Sequence, residues 1–348
     1  MKAEMIRILR ESKEYISGQE LCDRFEVSRT AIWKIINQLK EEGYVIEAKQ
    51  NRGYRLLESP DSMEAYELES RMCTKWAGRN VSHKKETGST NIDCKQLAAA
   101  GAAHGTLAVA DAQMSGRGRR GKSWQSPAGE SVYMSLLCRP DFPPDKAPML
   151  TLVMGLSVAE AVKQYTGLPA GIKWPNDVVV NGKKICGILT EMEMGLETKE
   201  IQYLVIGVGI NVNNGRRKMQ ESGSWEEAAE EAFPGELRDK ATSLFLEQGE
   251  KEGKISRAVL VRYVMEAFER NYELFSKTLD LSLLMESYNG CLVNKDAGVK
   301  VLDPKGEYTG VARGIDKGGD LLVEREDGEV KKVYSGEVSV RGIYGYAQ

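Results

Sequence analysis

Lys173-Trp174-Pro175-Asn176-Asp177-Val178-Val179-Val180-Asn181-Gly182-Lys183-Lys184-Ile185-Cys186-Gly187-Ile188-Leu189 is the stretch that decides the fold class. Val178–Val180 and Lys184–Leu189 are two short runs rich in apolar residues. Between them Asn181-Gly182 supplies the two positive φ angles of a type I′ turn, so the segment predicts a tight β-hairpin. Outward from it, helix and strand signals mix. Asn91–Ala100 predicts a helix stopped by Gly101. The segment around Leu150–Tyr165 is apolar nearly all round, which predicts a buried helix. Tyr203–Val212 predicts a buried strand, and the polar residues 216–240, rich in Glu and Arg, predict a mobile loop or insertion.

The two ends differ in character. Residues 1–58 read as three helices and a hairpin. Met5, Ile6, Ile8 and Leu9 stripe the first helix, and Ser17 with Glu20 forms a capping box for the second. Ser28 caps a third helix that buries Ile32, Ile35, Ile36 and Leu39. The hairpin has a basic tip, Lys49-Gln50-Asn51-Arg52-Gly53. From about 285, short strands alternate with Asp303-Pro304-Lys305-Gly306, Lys317-Gly318-Gly319 and Asp327-Gly328, which predicts a small β-barrel. The expected fold is α+β: a winged helix-turn-helix (1–58), a central mixed α/β sheet domain (63–284) and a C-terminal barrel (285–348), with a linker at Ser59–Ser62.

Composition bounds the function. A net charge of −3 confines any nucleic-acid surface to a local patch. No apolar run approaches the ~20 residues that span a bilayer. The first residues are charged throughout, unlike a secretory signal. Cys22, Cys73, Cys94, Cys138, Cys186 and Cys291 contain no C-x-x-C pair and, with two histidines, form neither a zinc pattern nor a disulfide framework. A reduced, cytoplasmic protein is expected.

Two regions carry candidate chemistry. In the third helix Arg29, Thr30, Trp33, Lys34 and Asn37 point outward behind the cap Ser28, and the wing adds Lys49 and Arg52. Arg and Lys meet phosphates or guanine, and Asn meets adenine. The tight turn, the basic face and the basic wing favour DNA over a solvated three-helix interaction module. The second region is Gly116-Arg117-Gly118-Arg119-Arg120-Gly121-Lys122-Ser123-Trp124, with four cations and three glycines in nine residues. Glycines let backbone N–H groups approach an anion, and arginines clamp phosphate or carboxylate oxygens. These residues also fit an RNA-binding basic tract or a solvated loop, and residue types alone do not choose. Gly88-Ser89-Thr90-Asn91 fits a helix cap, and Gly207-Val208-Gly209-Ile210-Asn211 ends the buried strand.

In this order, GRGRRG, KWPND, the following Lys184 and the G-x-G-I-N strand resemble the biotin protein ligase family over nearly the whole chain. With the N-terminal module, the resemblance is to its bifunctional ligase and biotin operon repressor branch. It implies a central sheet of the biotin/lipoate ligase type and an SH3-like barrel. It implies that Ser89, Thr90, Asn91 and Gln113 surround the biotin rings, with Arg117, Gly118, Arg119, Lys184 and Gly187 also on the biotin side. Arg119, Arg120, Lys122, Trp124, Lys173, Asn176, Asn211 and Arg341 are implied near ATP. Catalysis would fall to Lys184, Arg119 and Arg117; Asp177 either orients or deprotonates the incoming lysine, or is structural.

The resemblance further implies biotin, ATP and Mg²⁺ as reactants, with no metal ligands identified. It also implies a biotin carboxyl carrier protein as acceptor, operator DNA and a ligand-linked homodimer. Gly88 departs from the Asp often found before Ser-Thr-Asn, and residues 214–233 are longer than the family's loop, where Trp225 is a candidate lid residue. Two other readings are a biotin-responsive regulator without ligase activity and a lipoate or octanoate transferase. The first need not keep Lys184, the arginine loop and Asn211 together; the second gives no reason for Ser89, Thr90 and Gln113.

Overall fold

The structure, a computed structural model, describes residues 1–195, 197–249, 253–302, 306–334 and 339–342, the last four by backbone alone. Helices α1 (Lys2–Glu11), α2 (Gly18–Phe25) and α3 (Arg29–Glu41) precede a hairpin of β1 (Val45–Lys49) and β2 (Gly53–Glu58). Their core is Met5, Ile6, Leu9, Leu21, Ile32, Ile36 and Leu39. The predicted caps form: Ser17 Oγ accepts from Glu20 N (3.1 Å) and Ser28 Oγ from Ala31 N (3.3 Å). Gly53 has φ +111°, and a Cβ there would lie 1.9 Å from Ile16 O. Only glycine fits, because Ile16 and Tyr54 exchange two backbone hydrogen bonds of 2.9 Å that pin the wing to the α1–α2 loop.

Helix α4 (Ala65–Arg71) leads into the central part. There the elements run β3 (Val81–Thr87), α5 (Thr90–Ala99), β4 (Leu107–Gln113), β5 (Val132–Cys138), α6 (Met149–Thr166), β6 (Ala170–Lys173), β7 (Asp177–Val180), β8 (Lys183–Met194) and β9 (Ile201–Ile210). Then come α7 (Arg216–Ser222), α8 (Trp225–Ala232), α9 (Leu244–Gln248), α10 (Arg257–Thr278) and α11 (Met285–Cys291). The strands form one seven-stranded sheet, ordered β3-β4-β5-β9-β8-β7-β6, with only β3–β4 parallel. Asn181 (φ +49°) and Gly182 (φ +77°) turn the predicted hairpin.

Alternation along the strands sorts the two faces. Ala108, Leu137 and Val205 pack with Cys94 and Ala98 of α5. Leu107, Val109, Leu136 and Ile206 face the larger core, which takes in α6 and α10. Helix α5 packs on β4, β5 and β9, which leaves β8 and the Gly207–Gly209 end of β9 to line a site.

Residues 216–240 do not form the expected loop: α7 and α8 occupy most of that segment, followed by a 3₁₀ turn at Gly235–Leu237. The reason was local. Ser224 Oγ accepts from Glu227 N (3.3 Å), an S-x-x-E start before an Ala/Glu run of high helix propensity. Ala228 is buried and Trp225 stacks on Phe245, with ring centroids 5.3 Å apart.

The C-terminal strands β10 (Gly298–Leu302), β11 (Tyr308–Ile315), β12 (Leu321–Glu324), β13 (Val330–Val333) and β14 (Ser339–Gly342) form an antiparallel sheet ordered β13-β12-β11-β10-β14, the strand set of a small SH3-like barrel. Asp303, Pro304 and Lys305 of the predicted turn lie outside the described residues. Among the described residues, no helix is long and apolar enough to cross a membrane.

Candidate active site and nucleic-acid interface

Strand ends on the α5 side of the sheet border a narrow, partly open cavity of about 60 Å³. It brings together Ser89, Thr90, Asn91, Gln113, Arg117, Gly118, Arg119, Trp124, Asn176, Lys184 and Gly187. At one end the groups are neutral and polar. Ser89 occupies the N-cap position of α5, but its hydroxyl makes no cap bond. Gln113 Oε1 instead accepts from Thr90 N (2.9 Å), and Gln113 Nε2 donates to Ser126 Oγ (3.0 Å). Asn91 is held on both sides of its amide: Nδ2 donates to Glu191 (2.6 Å) and Oδ1 accepts from Ser135 Oγ (2.6 Å). A Cβ on Gly207 would lie 2.1 Å from that Oδ1, so glycine is what lets Asn91 lie against β9.

Burial alone would raise the Glu191 pKa; hydrogen bonds from Lys95 and Asn91 outweigh it and lower the value, so the wall carries a carboxylate.

The other end is cationic. Lys184 Nζ meets Asp177 Oδ1 at 2.6 Å and lies 5.2 Å from the Trp124 ring centroid. Trp124 packs over two glycines paired across β8 and β9, Gly187 and Gly209. A Cβ would come within 3.0 Å of the indole at Gly187 and 2.8 Å at Gly209. Its Nε1 is buried, with no hydrogen-bond partner among the described residues. Arg119 Nη1 donates to Asn176 Oδ1 (3.1 Å), while Asn176 Nδ2 donates to Ile188 O (3.2 Å). Burial, then the neighbouring Arg120, lowers the Arg119 pKa, so this guanidinium gains from an arriving anion.

Not every expected residue lines this cavity. Arg120 and Lys122 are exposed on the loop outside it. Lys173 is buried at the end of β6. Asn211 is buried, and its Nδ2 donates to Thr242 O (3.0 Å). Arg341 lies in β14 opposite Lys300, and its side chain lies outside the described residues.

Sequence reading missed Ser126, Ser135 and Glu191. The one signal for Ser135 was a lone hydroxyl inside an apolar run. It also missed a second, open cavity of about 390 Å³ walled by Trp225, Phe233, Ala241, Thr242 and Leu246. Its wall is tied to the first cavity by the Lys184 backbone, which donates to Lys240 O (2.8 Å) and accepts from Thr242 N (2.9 Å). Among the described residues, no group of three His, Cys, Asp or Glu stands ready for a metal ion.

On the winged helix, Arg29, Thr30, Lys34, Lys49 and Arg52 are exposed with Ser28, Asn37 is half-buried, and Trp33 is 56% exposed. Arg29 Nη2 donates to Gln19 Oε1 of α2 (2.9 Å), which steadies it on the outer face.

A sequence profile of the Biotin/lipoate A/B protein ligase family matches residues 81–211. An HTH domain matches 2–55 and a Biotin protein ligase C terminal domain matches 298–341. The Bifunctional ligase/repressor BirA of Bacillus spizizenii is 38% identical over 329 residues, 94% of each chain. That of Bacillus subtilis is 37% identical over the same shares. Among solved structures, the biotin protein ligase from Aquifex aeolicus in complex with biotin and ATP superposes with a TM-score of 0.61 at 31% identity, covering 76% of this chain and 99% of that one.

Proposed function

From the premise that this chain belongs to the bifunctional ligase/repressor family of biotin protein ligases, we propose how its residues carry both activities. It is an ATP-dependent biotin ligase and a DNA-binding repressor. We assign residues 1–58 to DNA binding, 63–284 to catalysis and 285–348 to the C-terminal barrel. The observation that carries the catalytic assignment is the polarity of the cavity. Hydroxyls and amides stand at one end, with the Glu191 carboxylate and nearby Arg117 behind Asn91, and Lys184 with Arg119 stands at the other. A ureido ring system needs donors and acceptors without charge, whereas a carboxylate approaching a phosphate needs cations.

In the first step the biotin carboxylate attacks the α-phosphorus of ATP. The bond to the β-phosphate oxygen breaks and pyrophosphate leaves with that electron pair. Lys184 neutralises the two anionic groups as they meet, and Arg119 takes the outer phosphates. Any Mg²⁺ accompanying ATP would neutralise phosphate charge, and among the described residues no group of three His, Cys, Asp or Glu stands ready to hold it. Ser89, Thr90 and Gln113 hold the ring, while Asn91, its amide already used, braces the wall. Trp124 covers the acyl chain. The base of ATP is placed in the second cavity between Phe233 and Ala241, beside the strand that carries Lys184.

In the second step an acceptor lysine attacks the carbonyl of biotinyl-5′-adenylate and AMP leaves. Asp177, 2.6 Å from Lys184, is the candidate to orient or deprotonate that amine, its other role being to hold Lys184 in place. No protein nucleophile is needed; placement and charge carry the rate. The acceptor is a biotin carboxyl carrier protein, and operator DNA is read by α3 and the wing.

Pyrophosphate release on mixing the protein with ATP and biotin tests this reading. Release is expected with biotin and not with lipoate; equal release with both, or none with biotin, overturns it.

A further inference from the structure

We infer that Trp174 is a positioning residue for adenylate formation, held in place by the C-terminal barrel; the inference rests on the ligase reading above. Trp174 is 2% exposed, and its indole Nε1 donates to Gly319 O at 3.0 Å, 145 positions further along the chain. Gly319 lies in the turn between β11 and β12 with φ +84°. A Cβ there would sit 3.1 Å from Leu152 on α6 and 3.2 Å from Leu281, so the turn is pressed against the catalytic part without slack. It is also braced from within. Asp316 Oδ1 accepts from Gly318 N (2.9 Å) and Asp320 N (3.1 Å), and Oδ2 meets Lys332 Nζ (2.6 Å).

On its other side Trp174 stands between Lys173 and Asn176. Asn176 accepts from Arg119 Nη1 and is tied to β8 by exchange with the Ile188 backbone. A continuous line therefore runs from the barrel turn through Trp174 and Asn176 to Arg119. A second grip lies alongside. Val293 N donates to Ile172 O (3.0 Å), and Asn289 brackets the Ile315 backbone of β11 with two hydrogen bonds.

On the ligase reading Arg119 faces the β- and γ-phosphates, which are present only in the first half-reaction. The second half-reaction uses an adenylate already made, with one phosphate. Loosening Trp174 should therefore slow adenylate formation and spare transfer. A general loss of structure would depress both.

The test is Trp174→Phe, which removes the N–H and keeps an aromatic ring. Removing a donor from a buried carbonyl is enough for roughly a 10-fold effect. The expected result is roughly a 10-fold drop in kcat/KM for ATP in pyrophosphate release. Biotin affinity and transfer from pre-formed biotinyl-5′-adenylate to acceptor stay within about twofold. Asp316→Ala, which slackens the same turn while leaving Trp174 intact, should give the same split and decides alone if the first variant does not fold. Both half-reactions unchanged, or both falling together, would overturn the inference. A parent protein that releases no pyrophosphate with biotin would instead sink the ligase reading, before any variant is compared.

Discussion

Lys184 is the residue on which the proposed chemistry depends most, and its surroundings say what its loss does. Its ammonium faces Asp177 at 2.6 Å, and both side chains are largely buried. Lys184→Met keeps most of the stem volume but removes the cation, leaving Asp177 without that partner. Truncating one member of a desolvated pair costs ~2–5 kcal/mol. Adenylate formation should fall at least roughly 30-fold, read as pyrophosphate release, with the circular dichroism spectrum unchanged; activity within a few-fold of the parent rejects the role. Gly207 offers a test at the ring end. Gly207→Ala places a methyl 2.1 Å from Asn91 Oδ1, an atom fixed by Ser135. Overpacking of this kind costs ~1–3 kcal/mol. Biotin affinity should drop about 10-fold by calorimetry, while operator-site affinity of the winged helix, assayed without ligand, does not change.

At the scale of elements, the junction of β3, β4 and the linker carries a titratable group. His83 on β3 lies between Glu64 (Nδ1, 3.2 Å) and Asp111 (Nε2, 3.1 Å). Arg257 approaches Asp111 at 3.8 Å from α10 and holds Asp61 of the linker at 2.9 Å. Burial alone would lower the His83 pKa; the hydrogen bond and charge of Asp111, with Glu64, outweigh it and raise the value. The folded state therefore favours the imidazolium. Its contribution is fully present below the unfolded value of ~6.5 and is lost as pH rises through the raised folded value. The difference in Tm between parent and His83→Gln should be largest below ~pH 6.5 and shrink as pH rises above it; a constant difference contradicts the linkage.

Legibility in the sequence followed the same local physics. The Asn181-Gly182 hairpin, the capped helices and the barrel strands were readable because their signals lie within a few residues. Glu191 and Ser135 were not, since Asn91 meets them only after β5, β8 and β9 pair. Residues 216–240 were misread because polarity was weighed above the Ser224–Glu227 cap and the alanines.

On the scale of the whole molecule, the winged helix is docked and not merely tethered. Glu67 of α4 is 0% exposed and receives Arg10 and Tyr44 from the N-terminal module, together with Arg71. Residues 59–348 contain the cavity and should still form adenylate, but with a lowered Tm, because truncation removes two partners of a buried carboxylate. Docking also matters for DNA. One helix-turn-helix has a small contact area, whereas two held at fixed spacing read two half-sites together. We propose that biotinyl-5′-adenylate supplies the second copy by favouring a homodimer through the central sheet. The glycine-rich loop at 116–121 is the part of this chain that ligand binding would order. Ordering it once, for the ligand, lowers the entropy cost left for association. Residues 216–232, already helical, have less to gain. An acceptor protein using the same surface should compete with the second copy. Sedimentation and operator binding are to be compared without ligand, with biotin, and with a non-hydrolysable adenylate analogue. Dimer fraction and operator affinity should rise together in the third, and added acceptor should lower both. Equal dimer fractions and equal affinity in all three conditions would refute ligand-linked assembly, as would operator occupancy that stays constant while acceptor is being biotinylated.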